Sequence, residues 1–199
     1  MTEAPDPIGL FREWAALAAR SDIAEPDAAA LATVDAEGNP SARMVLVRSV
    51  DERGFAFYTN LESRKGTELL GGASTGGAPA ALCFWWPALA KQVRVEGPAT
   101  RVSDADADAY WATRARESQV AAWASRQSAE LSGGRDELLS RYAELEKSLP
   151  PRVPRPPHWS GFRIEPRRIE FWEGRPHRLH QRVLYTREGR GWIAKTLGP

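Results

Sequence analysis

Two of the three histidines of this 199-residue chain lie in one basic, aromatic block near its C-terminus: Phe171-Trp172-Glu173-Gly174-Arg175-Pro176-His177-Arg178-Leu179-His180-Gln181-Arg182. Arg175, Arg178 and Arg182 together with the imidazoles of His177 and His180 would repel one another in a dry core. The block therefore has to face an anion, a cavity or water. His177-x-x-His180 has the spacing of a metal pair, but the flanking arginines and the lack of a cysteine cluster argue against a divalent cation. Gly72-Ala-Ser-Thr-Gly76 has the Gly-x-Ser-x-Gly spacing of a nucleophile elbow but falls in a segment that reads as a plain loop, and no acid is placed against a histidine, so a triad hydrolase has no support either.

Two other constellations are suited to anions. Ser63-Arg64-Lys65 sits where a helix is expected to begin, so free N–H groups, the positive end of the dipole and two cations can converge on one phosphate. An ordinary cap followed by solvated charges fits the same residues. Arg43 and Arg48 precede it on an expected strand, where strict alternation puts them on opposite faces; both reach one ligand only through a bulge or at a subunit boundary. Tyr110, Arg114 and Ser118 are spaced four and four and on one helix would form a single polar stripe, all three donors to an oxyanion; a solvated helix face is the plain alternative. Gln127-Ser128 adds neutral donors and acceptors. The glycine-rich segment 71–77 lacks the Gly-Lys-Ser/Thr ending of a phosphate loop and reads as a plain loop.

The elements that must position these groups follow from the pattern. Asp6-Pro7 and the spacing of Leu10, Phe11, Trp14, Leu17 and Ala18 predict an amphipathic helix over 6–20. Strands are expected from Ala29, over 41–50 and 55–60, then at 80–86 and 92–102, within a barrel region 29–103. A helical segment, 104–149, follows, with one helix to about Ser125, breaking near Arg116, and another over 136–149. The proline-rich stretch 150–158 reads as a stiff connector, and C-terminal strands are expected near 161–164, 168–172, 178–185 and 191–197. Roughly eight antiparallel strands with peripheral helices imply one mainly β domain spanning 1–199, closed or split into a barrel.

Bulk composition narrows the partners. The 27 basic and 26 acidic residues leave a net charge of +1, which gives no general attraction to nucleic acid or to an anionic membrane. Only Lys65, Lys91, Lys147 and Lys195 are lysine, so arginine dominates the basic side chains. The one cysteine, Cys83, reads as a buried small hydrophobe. No secretory signal opens the chain and its longest apolar run, 80–90, is too short for a membrane helix, so a soluble cytoplasmic protein is expected.

Taken in order, Arg43-Met-Val-Leu-Val-Arg48, Phe57-Tyr-Thr-Asn-Leu-Glu-Ser-Arg-Lys65, Lys91-Gln-Val-Arg-Val-Glu-Gly97, Ser118 to Ser128 and Ile169-Glu-Phe-Trp172 through Arg182 resemble the pyridoxamine 5′-phosphate oxidase family. The resemblance runs from about Asp6 to Pro199. It implies an FMN-binding split barrel working as a homodimer with the cofactor at the interface, and oxidation of a phosphorylated B6 vitamer by dioxygen. It also implies that Arg43, Met44, Val45, Leu46, Val47, Arg48, Tyr58, Thr59, Arg64, Lys65, Gln92, Gln127, Ser128, Trp172 and Arg182 hold FMN, with Arg64 and Lys65 on its phosphate. Arg48, Tyr110, Arg114 and Ser118 would bind the substrate phosphate, while Arg178, Leu179 and His180 flank the substrate ring, Arg178 and His180 as the catalytic pair. No metal is implied.

The chain departs from the family's pattern in three places. Position 48 is Arg where Lys is usual, position 91 is Lys where Arg is common, and the longer basic N-terminal arm of some members is expected to be missing. Two other readings remain open: a sister flavin oxidase acting on an unphosphorylated aromatic such as a phenazine precursor, and a non-catalytic split-barrel binder of flavin or haem.

Overall fold

Asp6 opens the first helix as expected. Its carboxylate accepts from the N–H groups of Ile8 at 3.0 Å and Gly9 at 2.9 Å, and Pro7 occupies the first turn, where no N–H is needed. The computed structural model describes residues 6–72 and 76–199. Residues 1–5, read above for a secretory signal, and residues 73–75 of the glycine-rich segment lie outside the described residues. Helix α1, Pro7–Ala19, buries Ile8, Phe11 and Ala18. Phe11 packs edge-on to Phe55 and Phe84, with ring centroids 4.8 and 4.9 Å away, at the centre of the main core.

Among the described residues nine strands follow in one antiparallel sheet: β1 Ala28–Val34, β2 Pro40–Asp51, β3 Gly54–Asn60, β4 Ala78–Trp86, β5 Lys91–Arg101, β6 Trp159–Ile164, β7 Arg168–Glu173, β8 Gln181–Glu188 and β9 Gly191–Leu197. The hairpin turns follow their sequence cues. Asp35 takes the N–H groups of Glu37 and Asn39, and Gly38 and Gly54 supply positive φ. The order β4-β1-β2-β3-β6-β5 closes into a six-stranded barrel because β5 also pairs with β4. Strands β7, β8 and β9 continue outward from β5. The eighth strand begins at Gln181, three residues later than expected. Residues 176–178 instead form a tight turn in which His177 and Arg178 both take left-handed backbone, at φ 56° and 60°.

Closure depends on β5 changing partner in mid-strand. Residues 91–96 pair with β7, residues 99–101 with β6, and Gly97 stands at the change. There the Glu165 and Arg167 N–H groups donate to the carbonyls of Pro98 and Glu96 at 3.0 and 2.8 Å. A Cβ on Gly97 would lie 1.9 Å from the Glu165 carbonyl oxygen.

The connection from β5 to β6 is helical: α2, Arg64–Gly71, already lies between β3 and β4, and α3 Asp104–Thr113, α4 Arg116–Ala124 and α5 Gly134–Ser148 form the excursion. The chain does not run as one helix past Arg114. Arg114 is extended (φ −75°, ψ 142°), so the break comes just before the expected Arg116. Long-range bonds set the corner: Gln119 Nε2 donates to the Trp111 carbonyl at 2.9 Å, replacing a helical partner, and the Trp111 indole donates to the Val153 carbonyl at 2.9 Å. Arg116 then donates to the carbonyls of Glu146, Leu149 and Pro150, closing the end of α5 on the proline-rich stretch.

Replacing Gly97 with alanine is expected to lower stability by about 2 kcal/mol or more, since the methyl overlaps a main-chain oxygen fixed in the ladder. Gly71→Ala, at the exposed end of α2 with open space around it, is expected to be neutral or to stabilise by up to about 1 kcal/mol. Urea midpoints at constant m-value compare the two, and equal midpoints would dissociate Gly97 from closure.

Candidate active site

The start of α2 brings Thr59, Arg64, Lys65, Gln127 and Ser128 together. Ser63 caps the helix, its Oγ accepting from the Gly66 N–H at 3.3 Å. A Cβ on Gly66 would fall 2.3 Å from the Leu61 carbonyl oxygen, so the helix can begin this close to the preceding turn only with glycine there. The Lys65 ammonium points inward, donating to Thr59 Oγ1 at 3.1 Å, Ser63 Oγ at 3.2 Å and Gln127 Oε1 at 3.0 Å. The residue is only 8% exposed, and all three acceptors are neutral. Burial, and next the charge of Arg43, push its pKa below the ordinary lysine value. The Arg64 N–H donates to Ser128 Oγ at 3.2 Å, with Ser128 held at φ 69°.

Glu68 ties the cations of this seat together. Its side chain is 5% exposed and accepts from Thr33, from Ser41 at 2.8 and 2.9 Å, from Arg64 Nε at 2.9 Å and from Arg43 Nη2 at 3.2 Å. Burial alone would raise the Glu68 carboxyl, but the hydrogen bonds from Thr33, Ser41 and Arg64 and the Arg43 charge hold it below the ordinary glutamate value. Arg43 is further fixed by Thr33 and by Ser41 Oγ at 2.5 Å, whereas the terminal nitrogens of Arg64 have no partner among the described residues. Glu68 was not identified from sequence; its spacing four after Arg64 was the available signal.

A second seat forms around Arg114. Tyr58, Tyr110 and Trp159 stack with nearly parallel planes, centroids 4.0 Å apart for the tyrosines and 5.5 Å for Tyr58 and Trp159. The Arg114 guanidinium lies 5.1 Å from the Trp159 ring and 5.7 Å from Trp111. Its Nη2 donates to the Ser118 carbonyl at 3.0 Å, but its buried Nε has no partner among the described residues. Burial lowers the Arg114 pKa from the ordinary arginine value, and the nearby Arg48 charge adds to the effect. Tyr110, Arg114 and Ser118 are thus gathered, though at a corner between two helices and not along one stripe.

Arg48 reaches this region through a bulge. Val47 faces Phe57 and Ser49 faces Ala56, so Arg48 is the extra residue of β2, and it pairs with Asp27. Arg43 and Arg48 therefore serve different places. Between them, Met44 is 65% exposed, while the side chains of Val45 and Val47 turn into the core; any ligand contact from these two comes from the main chain.

A third group gathers where β7 and β8 continue outward from the barrel strand β5. Gln92 on β5 faces Trp172 on β7, which faces Arg182 on β8. The Trp172 ring lies 4.6 Å from that of His180. Arg182 Nε donates to the buried Glu170 at 2.8 Å, and its Nη1 donates to the Gly198 carbonyl at 2.9 Å. His180 Nδ1 accepts from the Arg175 N–H at 3.2 Å. Arg178 has no hydrogen bond or ion pair among the described residues, and neighbouring Leu179 is 69% exposed. No hydrogen bond or ion pair among the described residues joins this group to the Lys65 or Arg114 seats.

Comparison with known proteins identifies the family. The family model for pyridoxamine 5′-phosphate oxidase matches residues 17–173, and that for the pyridoxine 5′-phosphate oxidase C-terminal dimerisation region matches residues 159–199. The pyridoxine/pyridoxamine 5′-phosphate oxidases of Anaeromyxobacter dehalogenans and Rhodospirillum rubrum are each 54% identical, with 98% of this chain and 96% of theirs covered. PhzG from Burkholderia lata, solved with tetrahydrophenazine-1-carboxylic acid, superposes with a TM-score of 0.90 at 34% identity, covering 98% of this chain and 94% of that one. The chain belongs to the pyridoxine/pyridoxamine 5′-phosphate oxidase family.

Proposed function

We propose that this protein oxidises pyridoxine 5′-phosphate and pyridoxamine 5′-phosphate to pyridoxal 5′-phosphate, as an FMN-dependent homodimer that uses dioxygen and releases hydrogen peroxide. The observation that carries the reading is the presence of two separate anion seats: a buried ammonium with only neutral oxygens around it, and a buried guanidinium nitrogen without a partner. Two phosphorylated molecules satisfy both.

The residues fit FMN. Lys65 and the free nitrogens of Arg64 would take its phosphate, with Thr59, Gln127 and Ser128 as further hydrogen-bonding groups and Glu68 steadying Arg64 and Arg43. Gln92, Trp172 and Arg182 would meet the same cofactor from the second copy, which accounts for their separation from the Lys65 seat within one chain. When bound, the flavin supplies the two-electron acceptor and passes the electrons to dioxygen. The alcohol then yields aldehyde and peroxide, while the amine also consumes water and releases ammonia.

The chain's own groups bind and orient. Tyr110, Arg114, Ser118 and Arg48 hold the substrate phosphate. Arg178, with no competing partner, brings positive charge to the substrate ring. The bond from the Arg175 N–H to His180 Nδ1 assigns the neutral ring's proton to Nε2, which makes His180 a donor that positions the substrate's hydroxyl or amine. The likeness to PhzG, solved with a carboxylic acid, supports a second reading, oxidation of an unphosphorylated aromatic whose carboxylate the Arg114 seat would also accept; turnover of the phosphorylated vitamers separates the two.

Aerobic incubation of the FMN-loaded protein with each phosphorylated vitamer is expected to release peroxide and pyridoxal 5′-phosphate, with pyridoxine itself a far poorer substrate. Oxidation of the unphosphorylated compound alone would select the second reading. Arg114→Gln is expected to raise KM for pyridoxine 5′-phosphate about a hundredfold, the loss of a charge-assisted contact to phosphate. Because the Lys65 pKa is depressed, its charge is lost at a lower pH than that of an ordinary lysine. The ratio of FMN to riboflavin affinity is therefore expected to fall as pH rises, starting below the usual lysine range, and Lys65→Arg should move that fall to higher pH. Fluorescence titration of both flavins measures it; a pH-independent ratio would remove Lys65 from the phosphate.

A further inference from the structure

A bulged residue leaves the alternation of its strand, so its side chain is aimed by whatever holds it. Arg48 is held by Asp27, the residue before β1. Arg48 Nη1 donates to Asp27 Oδ2, and the adjacent Val47 N–H donates to the Asp27 carbonyl at 2.9 Å. One residue thus closes the bulged backbone and takes the bulged side chain. Asp27 is itself anchored through Pro26, whose carbonyl accepts from the indole of the fully buried Trp86 at 2.8 Å. The pair is part-exposed and lines a cavity of about 300 Å³ between α1 and β2, walled on its apolar side by Phe11, Ala15 and Phe84.

We propose that Asp27 is a positioning residue for the substrate phosphate: it occupies one nitrogen of the Arg48 guanidinium, fixes the plane of the fork and leaves its remaining edge to the phosphate. The proposal rests on the reading that Arg48 and Arg114 share that phosphate. The chemistry of the side chain supports it. Arg48 Nε and Nη2 have no partner among the described residues, so the planar fork can bond a carboxylate and a phosphate at once. A lysine here would be a point charge needing no such orientation. The charge of Arg48 acts on Arg114 and helps to lower its pKa, so the two guanidiniums lie within electrostatic reach of each other.

The test compares the FMN-loaded parent with Asp27→Asn, Arg48→Lys and the double variant, measuring kcat and KM for pyridoxine 5′-phosphate, FMN affinity, and binding of inorganic phosphate by tryptophan fluorescence. Asp27→Asn is expected to raise KM about tenfold and weaken inorganic phosphate in the same proportion, with kcat within about twofold and FMN affinity unchanged. The double variant is expected to be no worse than Arg48→Lys alone. An unchanged or lower KM in Asp27→Asn, effects that multiply in the double variant, or a parallel loss of FMN affinity would each overturn the proposal. A parent that leaves the phosphorylated vitamer unoxidised, yet loses inorganic phosphate on Asp27→Asn only when Arg48 is present, would refute the substrate assignment and keep the role of Asp27.

Discussion

The two-partner pairing of β5 is the constraint on which the other features depend. Pairing with β4 and β6 closes the barrel, and pairing with β7 over residues 91–96 carries three more strands outside it. Such a strand needs a residue with no side chain where the partners exchange, and Gly97 meets the Glu165 carbonyl there. The consequence for the site is direct. Closure fixes β2, β3 and the start of α2 as a rigid wall for Arg43, Thr59 and Lys65, while Trp172 and Arg182 are carried on strands that the barrel does not enclose, with His180 in the connection between them. The outward row that remains on β1, β2 and β4 is flat and mostly small, with Ala30, Ala32, Ala42 and Cys83 around the exposed Met44 and Trp85. The dimerisation region that the family model matches, 159–199, lies on the other strands, β6 to β9.

Positive charge is managed differently at each seat. At α2, two arginines share one buried carboxylate and the lysine has none, so the seat keeps a surplus after Glu68 has been satisfied. At the α3–α4 corner the surplus lies in one guanidinium stacked over indoles, where hydrogen bonds to the ring faces are not available and Nε is left unsatisfied. On the outer strands, Arg94 and Arg182 both bond Glu170, which neutralises their charge locally. Buried charges without counter-ions are costly, and they persist where a ligand of opposite sign completes them. The first two seats have that character and the third does not, in accord with phosphate binding at the first two and ring contacts at the third.

Local chemistry was legible in the sequence wherever a single segment determined it. The Asp6-Pro7 cap, the Asp35 and Gly54 turns and the Ser63 cap all fall where their residue types require. Features set by contacts distant in sequence were not. The opposite parity of Arg43 and Arg48 showed that a bulge or a boundary was needed, but the bulge's position depends on the register with β3. The break at Arg114 is fixed by Gln119, Trp111 and Val153 acting together, which helical spacing alone cannot reveal. Glu68 looks like an ordinary helix-surface acid until β1 and β2 bury it. The left-handed pair His177 and Arg178 carries little sequence signal, since histidine is only modestly enriched in that backbone and arginine is not.

Those two residues make an argument about the active site that their side chains alone do not. A left-handed conformation at a non-glycine residue costs on the order of 1–3 kcal/mol, and here it occurs twice in succession. Such a turn survives only if its surroundings hold it: Pro176 restricts the backbone ahead of it, Arg175 is clamped by Glu173 at 3.0 Å and Gln181 at 3.4 Å, and His180 packs on Trp172. The outcome is a stiff projection that presents Arg178 and Leu179 to solvent, the reverse of what folding of the single chain would favour for a leucine 69% exposed. In the proposed homodimer the projection has somewhere to go. On the proposed function, a projection already stiff in one copy would leave little ordering to be done when it meets the ring of a bound substrate.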